Sequence, residues 1–368
     1  MSDTFWMLHI LIFVISLTNA FKSINDMRYS FFKLRMEEEG IGTVSNQLKK
    51  ERLYWKTETI AGSHNIAYKK LIYKNNNDGM NNMKQKIKDN NNNNNNNTPI
   101  LFVHGFGGNA DQFRNNMKFF NGNGRDTFAI DLLGYGYSDK PSPKMFNEPN
   151  VLYNFDTWGN LTTQFIDDII QEPCILVCNS VGGIVGLETA IRSTKNVKAL
   201  ILINVSLRML HNKKQPKLQI PFTNALQKLL RDTEIGNYFF KNVAKPQTVK
   251  NILQQAYANK ESVTDEIVDI ILKPGLESGA VDVFLDFISY SSGPLPEELI
   301  PLINCPLKIL WGENDPWEPL KLGKKFADYN TVEEFVIIKN GGHCCMDQDI
   351  SIDQVNDEIM KFLLKNNL

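Results

Sequence analysis

The hexapeptide CNSVGG at residues 178–183 leaves few folds open to this chain. An apolar run at residues 175–177 leads into it, and an apolar-rich stretch at residues 184–191 follows it. The pattern predicts a buried strand, a sharp turn that carries one serine, and then a helix. Such a turn lifts the serine hydroxyl clear of the sheet and requires small residues two positions before and after it. Gly182 meets this requirement and Cys178 meets it approximately, so Ser180 is a candidate nucleophile; a serine that only caps the helix is the alternative.

A second strand-and-turn pattern precedes the hexapeptide. Residues 99–103 predict a buried strand, and HGFGG at residues 104–108 predicts a glycine-rich turn before a helix over residues 110–120. When an acyl group is transferred, the carbonyl oxygen becomes negative, and two backbone N–H groups must already point at it. We predict that these N–H groups belong to Phe106 in this turn and to Val181, which follows the serine.

An acid and a base follow the hexapeptide in the chain. A predicted strand at residues 306–311 ends in GENDP, which places the carboxylate of Asp315 at the carboxyl end of the sheet. Another strand, at residues 334–338, leads to a loop containing His343, and an amphipathic helix over residues 352–364 ends the chain. Of the five histidines, His343 alone follows Asp315. The order is therefore serine, acid, histidine, and we predict that Ser180, Asp315 and His343 form a catalytic triad.

Other polar residues near these positions have a structural interpretation. Asp131 also ends a predicted strand, but it precedes the serine, so we expect it to accept hydrogen bonds from loop backbone. His104 is expected to support its glycine-rich turn through hydrogen bonds, while Asn179 could be structural or touch the site. Glu313 is the nearest rival to Asp315.

Five stretches of this chain resemble plant and algal α/β-hydrolases related to pheophytinase and chlorophyll dephytylase. They are CNSVGG and the stretches at residues 131–141, 203–216, 274–296 and 310–319, and the similarity extends over about residues 52 to 366 with one insertion. The family implies an α/β-hydrolase fold, in which helices flank a mostly parallel central sheet and a helical cap lies between strands six and seven. It implies the triad at the three positions named above and Phe106 and Val181 as oxyanion donors, and it favours Asp315 over Glu313 because its acid directly precedes a proline.

The resemblance also implies a substrate class. Its members are plastid hydrolases, and some remove the phytyl chain from a chlorophyll pigment by ester hydrolysis. This chain departs from the family at Cys178, where many members have glycine, and at Cys345, where many have proline. Epoxide hydrolases and haloalkane dehalogenases of the same superfamily use a carboxylate nucleophile, which Ser180 argues against.

Composition is compatible with a single enzyme. With 42% hydrophobic residues over 368 positions, the chain can bury a large core. A net charge of −1 gives no indication of nucleic-acid binding. The five cysteines lack disulfide-scaffold or zinc spacing, so we expect reduced thiols, no metal site and no cofactor.

Residues 205–303 are too long for a simple connection between strands, and we interpret them as a helical cap between core segments at residues 51–204 and 304–368. Most of the apolar residues at helical spacing in the cap are expected to pack toward the main sheet. They include Phe222, Leu226, Leu229, Leu230, Ile267, Ile270, Ile271, Phe284, Phe287 and Ile288. A cap this apolar also suggests a tunnel for a long acyl or isoprenoid chain.

Residues 207–250 carry nine Lys or Arg against two acids, which indicates either peripheral contact with an anionic membrane or a solvated helix face.

The amino-terminal segment predicts targeting. An apolar run over residues 5–17, followed by small residues at Thr18 and Ala20, is typical of a signal peptide spanning residues 1–20. Residues 21–50 then form a leader that could act as a transit segment to a plastid of secondary origin. Simple entry into the secretory pathway and an uncleaved anchor are the alternatives.

An asparagine-rich insertion occupies residues 74–98, including eight consecutive Asn residues. It is expected to loop out on the side away from the active site, without a catalytic role.

The predicted activity is that of a lipase-like serine esterase, which cleaves a carboxylic ester or thioester with a long apolar chain through an acyl-enzyme. An acyltransferase would use the same triad, and a catalytically inactive binding protein is a third reading of the same fold.

Overall fold

A computed structural model describes residues 48–74 and 97–368. The predicted signal peptide, most of the leader and residues 75–96 of the asparagine-rich insertion lie outside the described residues. Within the described ranges, no helix combines the length and hydropathy needed to cross a bilayer.

One eight-stranded sheet organises the described part of the chain, in the order β1-β2-β4-β3-β5-β6-β7-β8. β2 is antiparallel to β1 and β4, and the remaining neighbours are parallel. The strands are β1 (Leu53–Thr59), β2 (Gly62–Leu71), β3 (Ile100–Val103), β4 (Thr127–Ile130), β5 (Cys174–Asn179), β6 (Val197–Ile203), β7 (Leu307–Gly312) and β8 (Glu334–Ile338).

Helices connect the parallel strands and cover the sheet. They are α1 (Arg114–Gly122), α2 (Phe155–Phe165), α3 (Val181–Arg192), α4 (Ile220–Asp232), α5 (Glu234–Val243), α6 (Pro246–Ala256), α7 (Asp265–Gly275), α8 (Ala280–Ile288), α9 (Pro296–Leu299), α10 (Leu320–Gly323) and α11 (Ile352–Lys365). Six of them, α4 to α9, lie in the cap between β6 and β7.

The central strands are buried on both faces of the sheet. Along β3, Leu101 and Val103 pack into one core cluster, whereas Ile100 and Phe102 pack into the other. Successive side chains of a strand point to opposite faces, so a strand covered on both sides must be apolar throughout. α2 and α3 cover the first face, and α1, α6, α7 and α11 cover the second.

The predicted α/β-hydrolase architecture is confirmed, and its strand boundaries shift little. β8 has the predicted bounds, whereas β7 begins and ends one residue later than predicted. Leu71, where β2 ends, pairs with Thr127, where β4 begins, so this end of β2 lies at the amino edge of the parallel strands. Both described flanks of the asparagine-rich insertion are therefore opposite the carboxyl edge, where Ser180 lies.

The cap departs from one expectation. Ile267 and Ile271 pack on the main core as predicted. Phe222 and Leu229 of α4 do not, since 65% and 43% of their surfaces are exposed. Helical spacing shows which residues share a face of the helix, but it does not show whether another element packs on that face.

Candidate active site

Ser180 lies in a strained turn between β5 and α3. Its backbone has φ 55° and ψ −122°, a conformation that non-glycine residues rarely adopt. Hydrogen bonds hold this turn against β6 and the residues after it: the Ser180 N–H donates to Ile203 O at 3.0 Å, and Ser206 N–H donates to Ser180 O at 3.1 Å. Backbone strain of this kind persists where the surrounding structure over-determines it.

Close backbone approach explains the small residues around the turn. A Cβ on Gly182 would lie 2.3 Å from His104 O, so glycine is required there. Cys178 is fully buried, and a Cβ on Gly186 would lie 2.5 Å from its Sγ. Because Gly186 has no side chain, α3 leaves the space that the Cys178 side chain occupies.

The glycine-rich turn after β3 is held by His104. Its Nδ1 donates to Gly105 O at 2.7 Å, and its Nε2 accepts from Leu132 N at 3.0 Å, an arrangement that requires the neutral ring. Complete burial lowers the pKa of His104, which favours the same neutral form. The predicted supporting role of His104 is confirmed.

The two predicted oxyanion donors lie in the glycine-rich turn and directly after Ser180. Phe106 stands in the turn, and its side chain is partly exposed. Val181 is the first residue of α3, so its N–H is among the donors that find no acceptor within the helix. The two turns meet closely, because a Cβ on Gly105 would lie 2.9 Å from the Ser180 Cβ.

His343 and Asp315 form a buried pair. His343 Nδ1 donates to Asp315 Oδ2 at 2.8 Å, while Asp315 Oδ1 accepts from the backbone N–H groups of Trp317 and Glu318, both at 2.9 Å. Burial works to lower the pKa of His343, but the charge and hydrogen bond of Asp315 outweigh it and raise the pKa above its ordinary value. The pairing at Nδ1 leaves Nε2 as the ring atom that can exchange a proton with another group.

Asn179, next to Ser180, connects the serine turn to the loop that carries His343. Asn179 Nδ2 donates to His343 O at 3.3 Å and to Ile203 O at 3.1 Å, which makes Asn179 a structural link between the two loops. No hydrogen bond joins Ser180 Oγ to the His343 ring among the described residues. Catalytic hydrogen bonds are often long before substrate is bound, so this geometry is compatible with proton transfer.

Asn204, which directly follows β6, was not predicted from the sequence. Its Nδ2 donates to Gly342 O at 2.9 Å and to His343 O at 2.8 Å, and its Oδ1 accepts from Gly312 N at 2.7 Å. One buried amide thus joins the ends of β6 and β7 to the histidine loop. Its left-handed backbone, φ 47°, is one that asparagine tolerates.

Glu318 was also missed, and it lies beside the acid. Its carboxylate accepts from Ser206 Oγ and from Leu207 N–H, each at 3.0 Å. Burial, foremost, raises the pKa of Glu318 to about 7; His343 acts in the opposite direction, and Asp315 adds to the rise. The sequence shows only an acidic residue after Trp317, and nothing local marks it as buried.

The two rival carboxylates have other partners. Asp131 accepts from the backbone N–H groups of Ala110 at 2.7 Å and Tyr137 at 2.9 Å, and it pairs with Arg52 at 2.9 Å. Its predicted structural role is confirmed. Glu313 accepts a hydrogen bond from Asn340 N–H at the surface and is not bonded to His343.

Aromatic rings from the cap lie over the turn that contains Phe106. The Phe106 ring lies 5.3 Å from the Phe287 ring and 5.5 Å from the Phe284 ring, both on α8. Tyr135 adds an edge-on contact to Phe106 at 6.2 Å. The wall next to one predicted oxyanion donor is therefore apolar.

Among the described residues, no group of His, Cys, Asp or Glu side chains is arranged to hold a metal ion. All five cysteines are free thiols. Burial raises the pKa of Cys344, next to His343, well above its ordinary value, so this thiol is protonated.

Comparisons with known proteins agree with this geometry. Residues 98–349 match the family described as alpha/beta hydrolase fold. The hydrolase YugF of Bacillus subtilis is 23% identical over 228 residues, which cover 61% of this chain and 76% of YugF. Chloroplastic pheophytinase of Arabidopsis thaliana is 23% identical over 315 residues, which cover 73% of this chain and 61% of the pheophytinase. The resemblance to the plastid enzymes thus holds at the level of the superfamily.

Solved structures show the same fold. The structure of a thermophilic esterase from Thermogutta terrifontis superposes with a TM-score of 0.61 at 17% sequence identity, covering 86% of this chain and 99% of the esterase. Together with the family match over residues 98–349, the eight-stranded sheet and the helices that flank it, this identifies the chain as a hydrolase that belongs to the alpha/beta hydrolase fold family.

Proposed function

We propose that this chain hydrolyses a carboxylic ester or thioester with a long apolar chain, using Ser180 as nucleophile, His343 as base and Asp315 as the group that orients the base. The observation that carries the proposal is the buried His343–Asp315 pair, joined through Asn179 to the strained turn that presents Ser180.

The first half-reaction forms an acyl-enzyme. His343 Nε2 removes the proton of Ser180 Oγ as that oxygen attacks the carbonyl carbon. The N–H groups of Phe106 and Val181 hold the oxyanion, and Asp315 stabilises the imidazolium. The bond to the leaving alcohol or thiol then breaks, and the imidazolium returns its proton to that group.

The second half-reaction releases the acid. Water gives a proton to His343 Nε2 and attacks the acyl carbon, and the collapse of the second tetrahedral species breaks the bond to Ser180 Oγ, which recovers the proton. Every proton that is removed is returned within one turnover, so this cycle requires no cofactor.

The apolar substrate class is supported by the rings around Phe106. Phe284 and Phe287 of α8 and Tyr135 of the core offer an aromatic surface to whatever group lies beside the oxyanion donors. Such a surface favours a hydrocarbon chain, and pheophytinase is a relative by sequence. A long fatty acyl group or an isoprenoid alcohol meets this requirement.

Fluorophosphonate labelling tests the nucleophile. The wild-type protein should be labelled and Ser180→Ala should not, while Ser193→Ala, just after the end of α3, controls for the loss of a serine outside the turn. Equal labelling of the wild type and Ser180→Ala would remove Ser180 from the mechanism, and an unlabelled wild type would favour a binding protein.

Lipid and pigment extracts test the substrate class. Incubation with wild-type protein should consume an ester with a long chain that Ser180→Ala leaves intact. A parallel incubation with an added alcohol separates hydrolysis from acyl transfer, because transfer would produce a new ester.

For the location, we propose entry into the secretory pathway, with a plastid of secondary origin as the destination. The apolar run over residues 5–17 and the sequence likeness to chloroplastic pheophytinase support it. Sequencing of the mature protein from its own cells should find an amino terminus beyond Phe21, because import into a plastid would remove the leader as well. A terminus at Phe21 would indicate simple entry into the secretory pathway, and a chain that starts at Met1 would argue for an uncleaved anchor.

A further inference from the structure

The outer helices of the cap expose an unusual amount of apolar surface. Phe222 and Leu229 of α4 are 65% and 43% exposed, and Leu218, just before α4, is 94% exposed. On α5, Ile235 and Tyr238 are 49% and 42% exposed. Single exposed apolar residues are ordinary, but several on two consecutive helices indicate a surface that contacts something other than water.

The spacing of these residues places them on defined helix faces. Phe222 and Leu229 are two turns apart on one stripe of α4, and Ile235 and Tyr238 are one turn apart on α5. An adjoining face of α4 is anchored, since Leu230 is buried and packs in one apolar cluster with Leu285 of α8. We call the exposed residues of α4 and α5, together with Leu218, the outer cap face.

The segment that carries the outer cap face has an excess of positive charge. Between residues 217 and 245 there are five Lys or Arg and two acids. Arg231 forms a salt bridge with Asp232. Four exposed lysines form none with any described residue: Lys217, Lys228, Lys241 and Lys245. Earlier in the chain, by contrast, Lys213 and Lys214 each pair with a glutamate.

Exposed apolar side chains in a segment whose exposed lysines form no salt bridge match the boundary between the headgroups and acyl chains of an anionic bilayer. We infer that the outer cap face docks on a membrane containing anionic phospholipids, with Phe222 and Leu229 inserted among the lipids and the lysines at the headgroups. A solvated helix face would carry polar residues on the stripe that these two occupy.

The docked face lies one helix layer from the proposed active site. Phe240 of α5 contacts Phe284 of α8 at 5.2 Å, and Phe284 contacts Phe106 at 5.5 Å. An apolar layer therefore connects the membrane-facing helices to the turn beside Ser180. Docking would therefore bring the proposed active site close to a lipid phase that can supply the proposed long-chain ester. That consequence rests on the proposed function, whereas the docking itself requires no catalysis.

Vesicle flotation of the full chain tests the inference. The wild type should float with vesicles of phosphatidylcholine and phosphatidylglycerol, and much less with phosphatidylcholine alone or at high salt. Phe222→Ser/Leu229→Ser should reduce the bound fraction on anionic vesicles at least about tenfold, and Lys217→Gln/Lys228→Gln/Lys241→Gln should reduce it similarly. Ile60→Ser, which removes an equally exposed apolar side chain from the turn between β1 and β2, should bind as the wild type does.

Circular dichroism melting shows whether each variant is folded. Flotation of Phe222→Ser/Leu229→Ser equal to that of the wild type overturns the inference, as does a wild type that binds neither kind of vesicle. A wild type that forms dimers through this face, with monomeric variants and no vesicle binding, would replace the bilayer with a second copy of the chain. Because flotation needs no turnover, a failure of the proposed hydrolysis would leave this result unaffected.

Discussion

Replacing Asn204 by alanine should lower the free energy of unfolding by about 2–6 kcal/mol and disturb the position of His343. The Asn204 side chain is completely buried and makes three backbone contacts shorter than 3.0 Å. Truncation leaves Gly312 N–H and Gly342 O without their partner, whereas His343 O keeps a hydrogen bond from Asn179. Each buried polar group that loses its partner costs about 1–3 kcal/mol, so two of them give the stated range.

Denaturant unfolding, followed by tryptophan fluorescence, measures the loss. The matched control is Asn237→Ala on α5, because Asn237 bonds only to Glu234 at the surface, at 2.9 Å. Its effect should stay within about 0.5 kcal/mol. In the same preparations, the rate of fluorophosphonate labelling should fall for Asn204→Ala beyond the fraction that is unfolded, since the histidine loop loses an anchor.

A loss below about 1 kcal/mol, with labelling at the wild-type rate, would refute the reasoning. It would mean that water or a local shift satisfies both groups, and that Asn204 does not hold the histidine loop. The control Asn237→Ala shows how much an asparagine-to-alanine substitution lowers the free energy of unfolding when no buried hydrogen bond is lost.

Two further predictions concern the base and the serine turn. Since His343 acts as a base only when neutral, and Asp315 raises its pKa, the rate should fall as the pH drops through that raised pKa. Asp315→Asn should move this acid limb to lower pH and reduce kcat by about 10⁴, and an unmoved limb in a pH–rate profile would contradict the pairing. Gly182→Ala should cost more than about 3 kcal/mol, because its Cβ would lie 2.3 Å from a backbone oxygen, whereas Gly122→Ala, with open space around it, should change stability by less than about 1 kcal/mol in the same denaturant titration.

The parts of this protein that could be predicted from sequence are those with a local pattern. β3 is a continuous apolar run, β5 is apolar up to Asn179, and β7 is apolar apart from Lys308. Each ends in a turn with small or acidic residues, and fully buried parallel strands have this form. The positions of Ser180, Asp315 and His343 at one edge of the sheet follow from the strands that precede them. Their catalytic roles remain proposals.

What the sequence did not predict depends on contacts between distant residues. Asn204 bonds to positions 108 and 138 residues away, and Glu318 bonds to a serine 112 residues away. No local pattern marks such residues. In the cap, Phe222 has the same helical spacing as the buried Leu230, because periodicity defines a helix face but not what covers it.

The cap is attached to both loops that would carry the proton chemistry. His343 N–H donates to Ala256 O at 2.7 Å, at the end of α6, and Glu318, next to the acid loop, accepts from Ser206 and Leu207, where the cap begins. A substrate that displaces α6 therefore also displaces the backbone of the base. Changes at these attachment points should alter kcat together with KM, whereas changes on the outer cap face should leave both unchanged for a soluble short-chain ester. The proposed catalysis and the selectivity for substrate would thus be coupled through α6 and through the first residues of the cap, and the outer cap face can vary independently of either.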